Sequence, residues 1–409
     1  MREHAEIFAE LKDLILSDID MSRDVNDEEI YEIIDKNISQ RQARQYMSLI
    51  EREEFRKELF FEVRRLGILE ELIMDNSVTE IMVNGTDAVF IEKEGKLYKW
   101  DKRFESSIKL KDVIQQIVAK SNRVVNEASP IVDARLENGA RVNVVMDPVA
   151  INGPILTIRR FPDEPIKMQD LINFEAVTYE AAEFLRKLVI SGYNIFISGG
   201  TGSGKTTFLN ALSDFIPSSE RVITIEDSAE LQIQGIDNLI RLETRNANVE
   251  GCREITIRDL IKSSLRMRPD RIIVGEIRDG AALDFLSAAN TGHDGSLSTG
   301  HANSSKDMLS RIETMVLMAM ELPLPAIRRQ MASAIDIIVH LGRLRDKSRK
   351  VMEIVEVTGF TDNEIVLSLL YKFEETGVSK GGRVEGRLEK KGELQQIEKL
   401  QKNGFDIYS

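Results

Sequence analysis

The sequence predicts an α/β protein. Its larger domain is a parallel central sheet built on a phosphate-binding loop, preceded by a smaller mixed α/β domain and an N-terminal helical segment. Three observations carry this reading. Residues 194–215 run as a short apolar strand, a glycine loop and a helix. Two later apolar runs, 221–225 and 271–274, are short and bounded by charges, as buried strands of a parallel sheet are. Residues 68–160 instead mix short alternating strands with one amphipathic helix.

Taken in order, residues 1–66 read as a helical segment. Ile7, Leu11, Leu14 and Ile15 fall on one helical face, and Ile30, Ile33 and Ile34 follow an acidic start at Asn26–Glu29. A third helix carries Phe55, Leu59, Val63 and Leu66 and stops at Gly67. These stripes must be buried, on a partner or on the chain itself, with the chain itself preferred. Residues 67–160 form the small domain, with strands at 80–83 and 88–92 around an Asn84-Gly85 turn, a third at 96–100, a helix at 110–119, and strands at 140–146 and 155–159. The proline-marked stretch from Arg160 opens a linker over 161–177, and the phosphate-loop domain covers 178–350. In 351–409 a hairpin of 351–357 and 365–370 precedes a Gly-, Lys- and Glu-rich tail from Gly377, expected to be flexible.

Composition bounds the class. The 409 residues suffice for two or three domains, and 42% hydrophobic with 30% charged residues is the balance of a soluble globular chain. A net charge of −13 argues against electrostatic binding to nucleic acid. No apolar run approaches a membrane span, and the charged N-terminus does not read as a signal peptide, so the expected compartment is the cytoplasm. The single cysteine, Cys252, excludes an internal disulfide and a four-cysteine zinc site.

Gly199-x4-Gly204-Lys205-Thr206 matches the phosphate-binding loop. Glycines let backbone N–H groups turn around the phosphates, and the helix that follows points its positive end at them. The candidate ATP ligands are Gly199, Gly200, Thr201, Gly202, Ser203, Gly204, Lys205, Thr206 and Thr207. Lys205 would neutralise phosphate charge, and the Thr206 hydroxyl would hold Mg2+. Glu226 and Glu276 follow the two buried strands at their carboxyl ends, where open α/β sheets bind ligands. Glu276 would hold Mg2+ through water, and either carboxylate can orient the attacking water. Helix capping is the alternative for such residues, and more so for Asp227 and Glu230.

Four motifs occur in a familiar order. Residues 223–231, with Glu226, Asp227 and Glu230, resemble the acidic box of secretion ATPases. Residues 271–278 resemble their second nucleotide motif, and 291–303, with His293 and His301, resemble their histidine box. The chain thus resembles a traffic ATPase of the type II/type IV secretion superfamily, most like the CpaF branch that drives tight-adherence (Flp) pili. Asp133, Arg135, Asn143 and the Thr157–Arg160 stretch extend the likeness into the small domain. The resemblance implies a RecA-like phosphate-loop domain, a homo-oligomeric ring (a hexamer), and an inner-membrane platform as partner, with the motor on the inner face of the membrane. It implies that His301 senses the γ-phosphate. It also implies that arginines from both regions, Arg141, Arg159 and Arg160 from the small domain or its linker and Arg241 and Arg245 after the acidic box, close on the nucleotide.

Alternatives stand beside each. An arginine on a strand is often only a solvated side chain, Arg278 can pair with a nearby carboxylate, and a loop histidine can simply be satisfied locally. Two departures from the family pattern are Arg278-Asp279-Gly280 after Glu276 and Gly300 before His301, where a β-branched residue is common. The absence of paired cysteines argues against the type II secretion and pilus-extension branches. Met308, Met315, Met318 and Met320 share helical spacing and are expected in the core or a subunit contact. The leading function is ATP hydrolysis powering pilus assembly. The alternatives are a type IV secretion channel motor moving DNA or effectors, and a scaffold that binds ATP but hydrolyses it weakly.

Overall fold

The computed structural model describes residues 2–20, 23, 25–42, 48–93, 95–121, 123–160, 164–245 and 253–405. Cys252 lies outside them. The chain divides into two units, Met1–Pro162 and Asp163–Ser409.

The first unit begins with α1 (Arg2–Asp18), α2 (Asp27–Gln42) and α3 (Leu49–Arg64). Asn26 accepts the Glu29 N–H at 2.9 Å and starts α2, and a reciprocal Ser48–Glu51 capping box starts α3. The three apolar stripes are buried on one another: Leu11 and Ile15, Ile34 and Ile38, and Leu59 have no exposed surface, and Tyr31 stacks on Phe60 at 4.1 Å. The helices therefore form their own small core. Leu14, expected on that face, is exposed. The small sheet follows α4 (Leu69–Met74). Its strands are β1 (Val78–Asn84), β2 (Ala88–Lys93), β3 (Lys96–Lys99), β4 (Ile131–Arg135), β5 (Arg141–Val145) and β6 (Ile155–Arg159), with α5 (Ser107–Lys120) between β3 and β4. The order is β3-β2-β1-β6-β5-β4, antiparallel throughout. Leu110, Val113, Ile114, Ile117 and Val118 of α5 fill its buried face.

The second unit opens with α6 (Met168–Asn173) and α7 (Tyr179–Ile190). The stretch read as a linker thus contains a helix, because Met168 and Leu171 are buried in this unit's core. Next come β7 (Ile195–Gly199), α8 (Lys205–Ser213), β8 (Arg221–Glu226), β9 (Asn238–Glu243), α9 (Ile257–Ser264), β10 (Arg271–Val274), α10 (Ala281–Ala289) and β11 (Leu297–His301). After them lie α11 (Ser305–Ala319), α12 (Leu324–Ala334), β12 (Ile337–Arg343), β13 (Arg349–Thr361), β14 (Glu364–Val378), β15 (Val384–Lys390) and α13 (Glu398–Lys402). The nine strands run β15-β14-β13-β12-β7-β11-β10-β8-β9; from β12 to β9 all neighbours are parallel. β11, legible beforehand only as a histidine motif, lies between the phosphate-loop strand and β10. Because these strands are parallel, β7, β8, β10 and β11 end on one edge of the sheet.

The hairpin is as the turn residues predict. Asp362 and Asn363 both take positive φ (54° and 64°), the geometry of a type I′ turn. The tail is not loose. β15 pairs with β14, Leu394 and Leu400 enter the core, and the buried Glu356 carboxylate accepts the backbone N–H groups of Gln395 and Gln396. Lys399 bridges Asp336 at 2.8 Å, and Asp336 also accepts the Asn194 N–H. Two leucines and two carboxylates, Glu356 and Asp336, hold a segment whose composition reads as disordered. The methionines divide: Met308 and Met315 are core, whereas Met318 and Met320 are exposed.

Candidate active site

All five residues of β7 are buried, so the strand places its loop rigidly at the sheet edge. Gly199 meets β12 so closely that a Cβ there would stand 2.6 Å from the Leu341 carbonyl oxygen. Gly202 and Gly204 take φ of 69° and 93°, which turns the loop into the start of α8. Thr206 and Thr207 lie in the first turn of α8 and are partly exposed.

Lys205 is buried, donates to the Gly200 carbonyl at 3.0 Å, and lies 3.3 Å from His301 Nδ1. His301 Nε2 is 3.2 Å from Glu276 Oε1 but lacks hydrogen-bond geometry. Arg278 Nη2 donates to Glu276 Oε2 at 2.7 Å and also lies 3.7 Å from Asp227. A continuous line from loop lysine to histidine to carboxylate to arginine therefore crosses the ends of β7, β11 and β10. Burial lowers the Lys205 pKa, partly offset by Glu276, and burial with the nearby Lys205 lowers that of His301. Pairing with Glu276 raises that of Arg278.

Glu226 is 3% exposed at the end of β8. Its Oε2 accepts the N–H groups of Glu230 and Leu231 at 2.7 and 2.8 Å, and a Cβ on Gly275 would stand 3.0 Å from its Cγ. Burial pushes its pKa up to about 7. Glu226 Oε1, Glu276 Oε1 and Ser203 Oγ are buried with no hydrogen-bond partner among the described residues. Such orphaned oxygens call for a ligand. Carboxylate and hydroxyl oxygens are hard donors of the type Mg2+ takes, so the residue types present, Glu276 and the loop hydroxyls, fit that ion.

The arginines fall in several places. Arg241 donates to the Leu231 carbonyl at 2.8 Å and lies near Glu226; Arg245 donates to the Arg253 carbonyl at 3.1 Å. Arg141 and Arg159, in the first unit, are direct cross-strand partners on β5 and β6, and Arg141 is 3.8 Å from Asp133. Arg160 is committed locally, to Asn76 at 2.8 Å. His293 precedes β11 and so belongs to the opposite edge of the sheet from His301, where its Nδ1 is 3.2 Å from the Ala288 carbonyl oxygen. Gly300 is explained by packing: a Cβ would stand 2.8 Å from Met308 Cε and 3.0 Å from Phe196.

Three features escaped the motifs. A cavity of about 470 Å³ beside the loop is lined by Gly200, Thr201, His301, Asn303, Asp307 and Arg311 among others. His340 on β12 is buried, with Nδ1 2.8 Å from Ser198 Oγ just before the loop. Arg349 Nε donates to the Gly202 carbonyl at 2.9 Å. His340 and Arg349 carry no local pattern, and only the lateral contacts of β12 and β13 bring them here, as α11 brings Asp307 and Arg311 to the cavity.

A family model described as "Type II/IV secretion system protein" matches residues 62–395. The chain belongs to this family. A putative conjugal transfer protein of Mycobacterium tuberculosis is 33% identical over 299 residues, covering 72% of this chain and 84% of the relative. The type IV secretion system protein VirB11 of Brucella suis is 31% identical, covering 65% and 81%. The Legionella pneumophila ATPase DotB shares the fold: TM-score 0.51, 20% identity, covering 70% of this chain and 79% of that one. This secretion-family member thus bears out the superfamily resemblance and the two-domain α/β fold. The likenesses distinguish the family, not the tight-adherence branch within it. Among the described residues no helix is long and apolar enough to cross a membrane.

Proposed function

We propose that this family member is a Mg2+-dependent ATPase that works as a ring, a hexamer, on the cytoplasmic face of a membrane-embedded machine. The Lys205–His301–Glu276–Arg278 line carries the reading, because it joins a phosphate-binding lysine to a carboxylate through a histidine. Backbone N–H groups of the loop hold the β- and γ-phosphates, and Lys205 exchanges the Gly200 carbonyl for phosphate oxygen. Thr206 and Glu276 would hold Mg2+, which when bound would supply positive charge against the negative charge that develops on the phosphates. Glu226, with a pKa raised toward neutrality and one oxygen free, orients the attacking water. His301, between Lys205 and Glu276, registers loss of the γ-phosphate. Arg141, Arg159, Arg241 and Arg245 are the arginines proposed to stabilise the transferring phosphoryl group.

Two uses of that work stand side by side. The motif pattern favours assembly of a tight-adherence pilus through an inner-membrane platform. The relatives, a putative conjugal transfer protein and a type IV secretion system protein, favour a secretion channel moving effectors or DNA, with the motor itself not touching nucleic acid. A null strain separates them by loss of surface fibres or loss of transfer. The activity is tested on purified protein: Mg-ATP should be hydrolysed, EDTA should stop it, and Lys205→Ala should lower kcat at least about 100-fold. Normal turnover by that variant would end the reading.

A further inference from the structure

The hairpin of β12 and β13 presents two arginines to the phosphate loop. Leu341 of β12 is the register partner of Gly199, so Arg343, two residues on, runs beside the loop itself. A Cβ on Gly202 would stand 3.9 Å from Arg343 Nη1, and one on Gly204 would stand 3.4 Å from Arg349 Cδ. Arg349 Nε also donates to the Gly202 carbonyl at 2.9 Å. The two arginines are direct cross-strand partners. Like charges directly opposite each other destabilise a strand pair.

Among the described residues no carboxylate offsets that repulsion. Both side chains are exposed, and neither has a carboxylate partner among the described residues. Their neighbours do: Arg345 of the same hairpin pairs with Glu375, and Lys350 lies 3.7 Å from Glu175. The chain has 68 acidic against 55 basic residues, so two unpaired guanidiniums facing each other are not a matter of too few acids. The carbonyl that holds Arg349 is a neutral, weak partner beside the site where phosphates are proposed to sit.

We propose that Arg343 and Arg349 form a second phosphate clamp, gripping the nucleotide's phosphate chain from the strand side while the loop amides and Lys205 grip it from the other. The proposal rests on the ATPase reading above. A polyphosphate satisfies both guanidiniums at once, removes their mutual repulsion, and replaces the Gly202 carbonyl as the acceptor for Arg349. The pair comes from the same chain as the loop, unlike a finger supplied by a neighbouring subunit, and so it acts before any ring closes. Its effect therefore falls on affinity.

The test is equilibrium binding of fluorescent ATP to the full chain, with unlabelled tripolyphosphate and adenosine as competitors. Arg343→Ala and Arg349→Ala should each weaken ATP and tripolyphosphate by about tenfold, and the double variant by more. Adenosine competition should not change, and the dependence of affinity on salt should become shallower. Thermal unfolding without nucleotide should be unaltered or slightly raised, since a repulsion is removed. Binding by the double variant within about twofold of wild type, while Lys205→Ala loses it, overturns the clamp and spares the ATPase reading. Tighter binding by Arg349→Ala overturns it too and makes the arginine a latch on the empty loop. A loss seen with ATP but not tripolyphosphate moves the contact to ribose or base. Wild-type protein that binds no nucleotide overturns both readings.

Discussion

Replacing Glu226 with Gln tests the buried carboxylate directly. Glu226 is 3% exposed, and its Oε2 is engaged by two backbone donors while Oε1 has none among the described residues. Burial outweighs those donors and Arg241, and raises the pKa from an ordinary 4.5 to about 7. The folded chain therefore keeps a proton that the unfolded chain releases. Stability from this group is fully present below pH 4.5, falls as pH rises toward 7, and is level above that. At about 1.4 kcal/mol per pH unit, the rise amounts to about 3 kcal/mol. Glu226→Gln keeps an acceptor for both N–H groups and cannot ionise, so it should lack this slope. Urea unfolding of nucleotide- and metal-free wild type and variant at pH 5, 6, 7 and 8 reads the difference, which should grow in the variant's favour by about 2.5 kcal/mol between pH 5 and 8, the rest being lost below pH 5. Parallel stability profiles would show that the carboxylate is not held in a desolvated state. In the same series, wild-type kcat/KM should climb between pH 6 and 8 as the free enzyme's Glu226 ionises, and the variant should bind ATP yet turn it over at least about 100-fold more slowly.

Glu276→Gln removes the anion that holds Arg278 and faces His301; kcat should fall about 100-fold or more while the fold persists, as circular dichroism and ATP binding would show, and unchanged kcat would remove Glu276 from the site. Leu400→Ala should destabilise the second unit by about 2–5 kcal/mol, because a buried leucine leaves a cavity in a segment that also closes over Tyr193; a truly loose tail would give no change in denaturation. Gly300→Ala should cost about 1–3 kcal/mol by crowding Met308 and Phe196, and Met308→Ala in the same chain should recover part of that loss; simple additivity in the double-mutant cycle would refute the packing account.

The loop strand, the loop and the helix after it were legible from residues 194–215 alone, because glycine spacing and apolar runs act over a few positions. The same holds for Glu226 and Glu276, which follow their strands directly. Other features were out of reach. β11 reads poorly as a strand: Ser298, Thr299 and Gly300 are unexceptional locally and become a strand only because they fit between β7 and β10. That insertion brings His301 to Lys205 and leaves His293 at the other edge. The tail looked disordered because its composition is polar, and it is ordered by Glu356, Asp336 and two leucines acting from far along the chain.

Local chemistry, then, was enough to place a glycine loop between a buried strand and a helix, two carboxylates after neighbouring buried strands, and a small mixed domain before them, since propensity, period and turn chemistry are short-range. Lateral strand order was not. Which arginines stand beside the loop, which histidine touches the lysine, and which carboxylate is desolvated depend on pairings between residues up to about 150 positions apart. Those pairings are chosen by burial of whole apolar faces at once, and no window of sequence contains that sum.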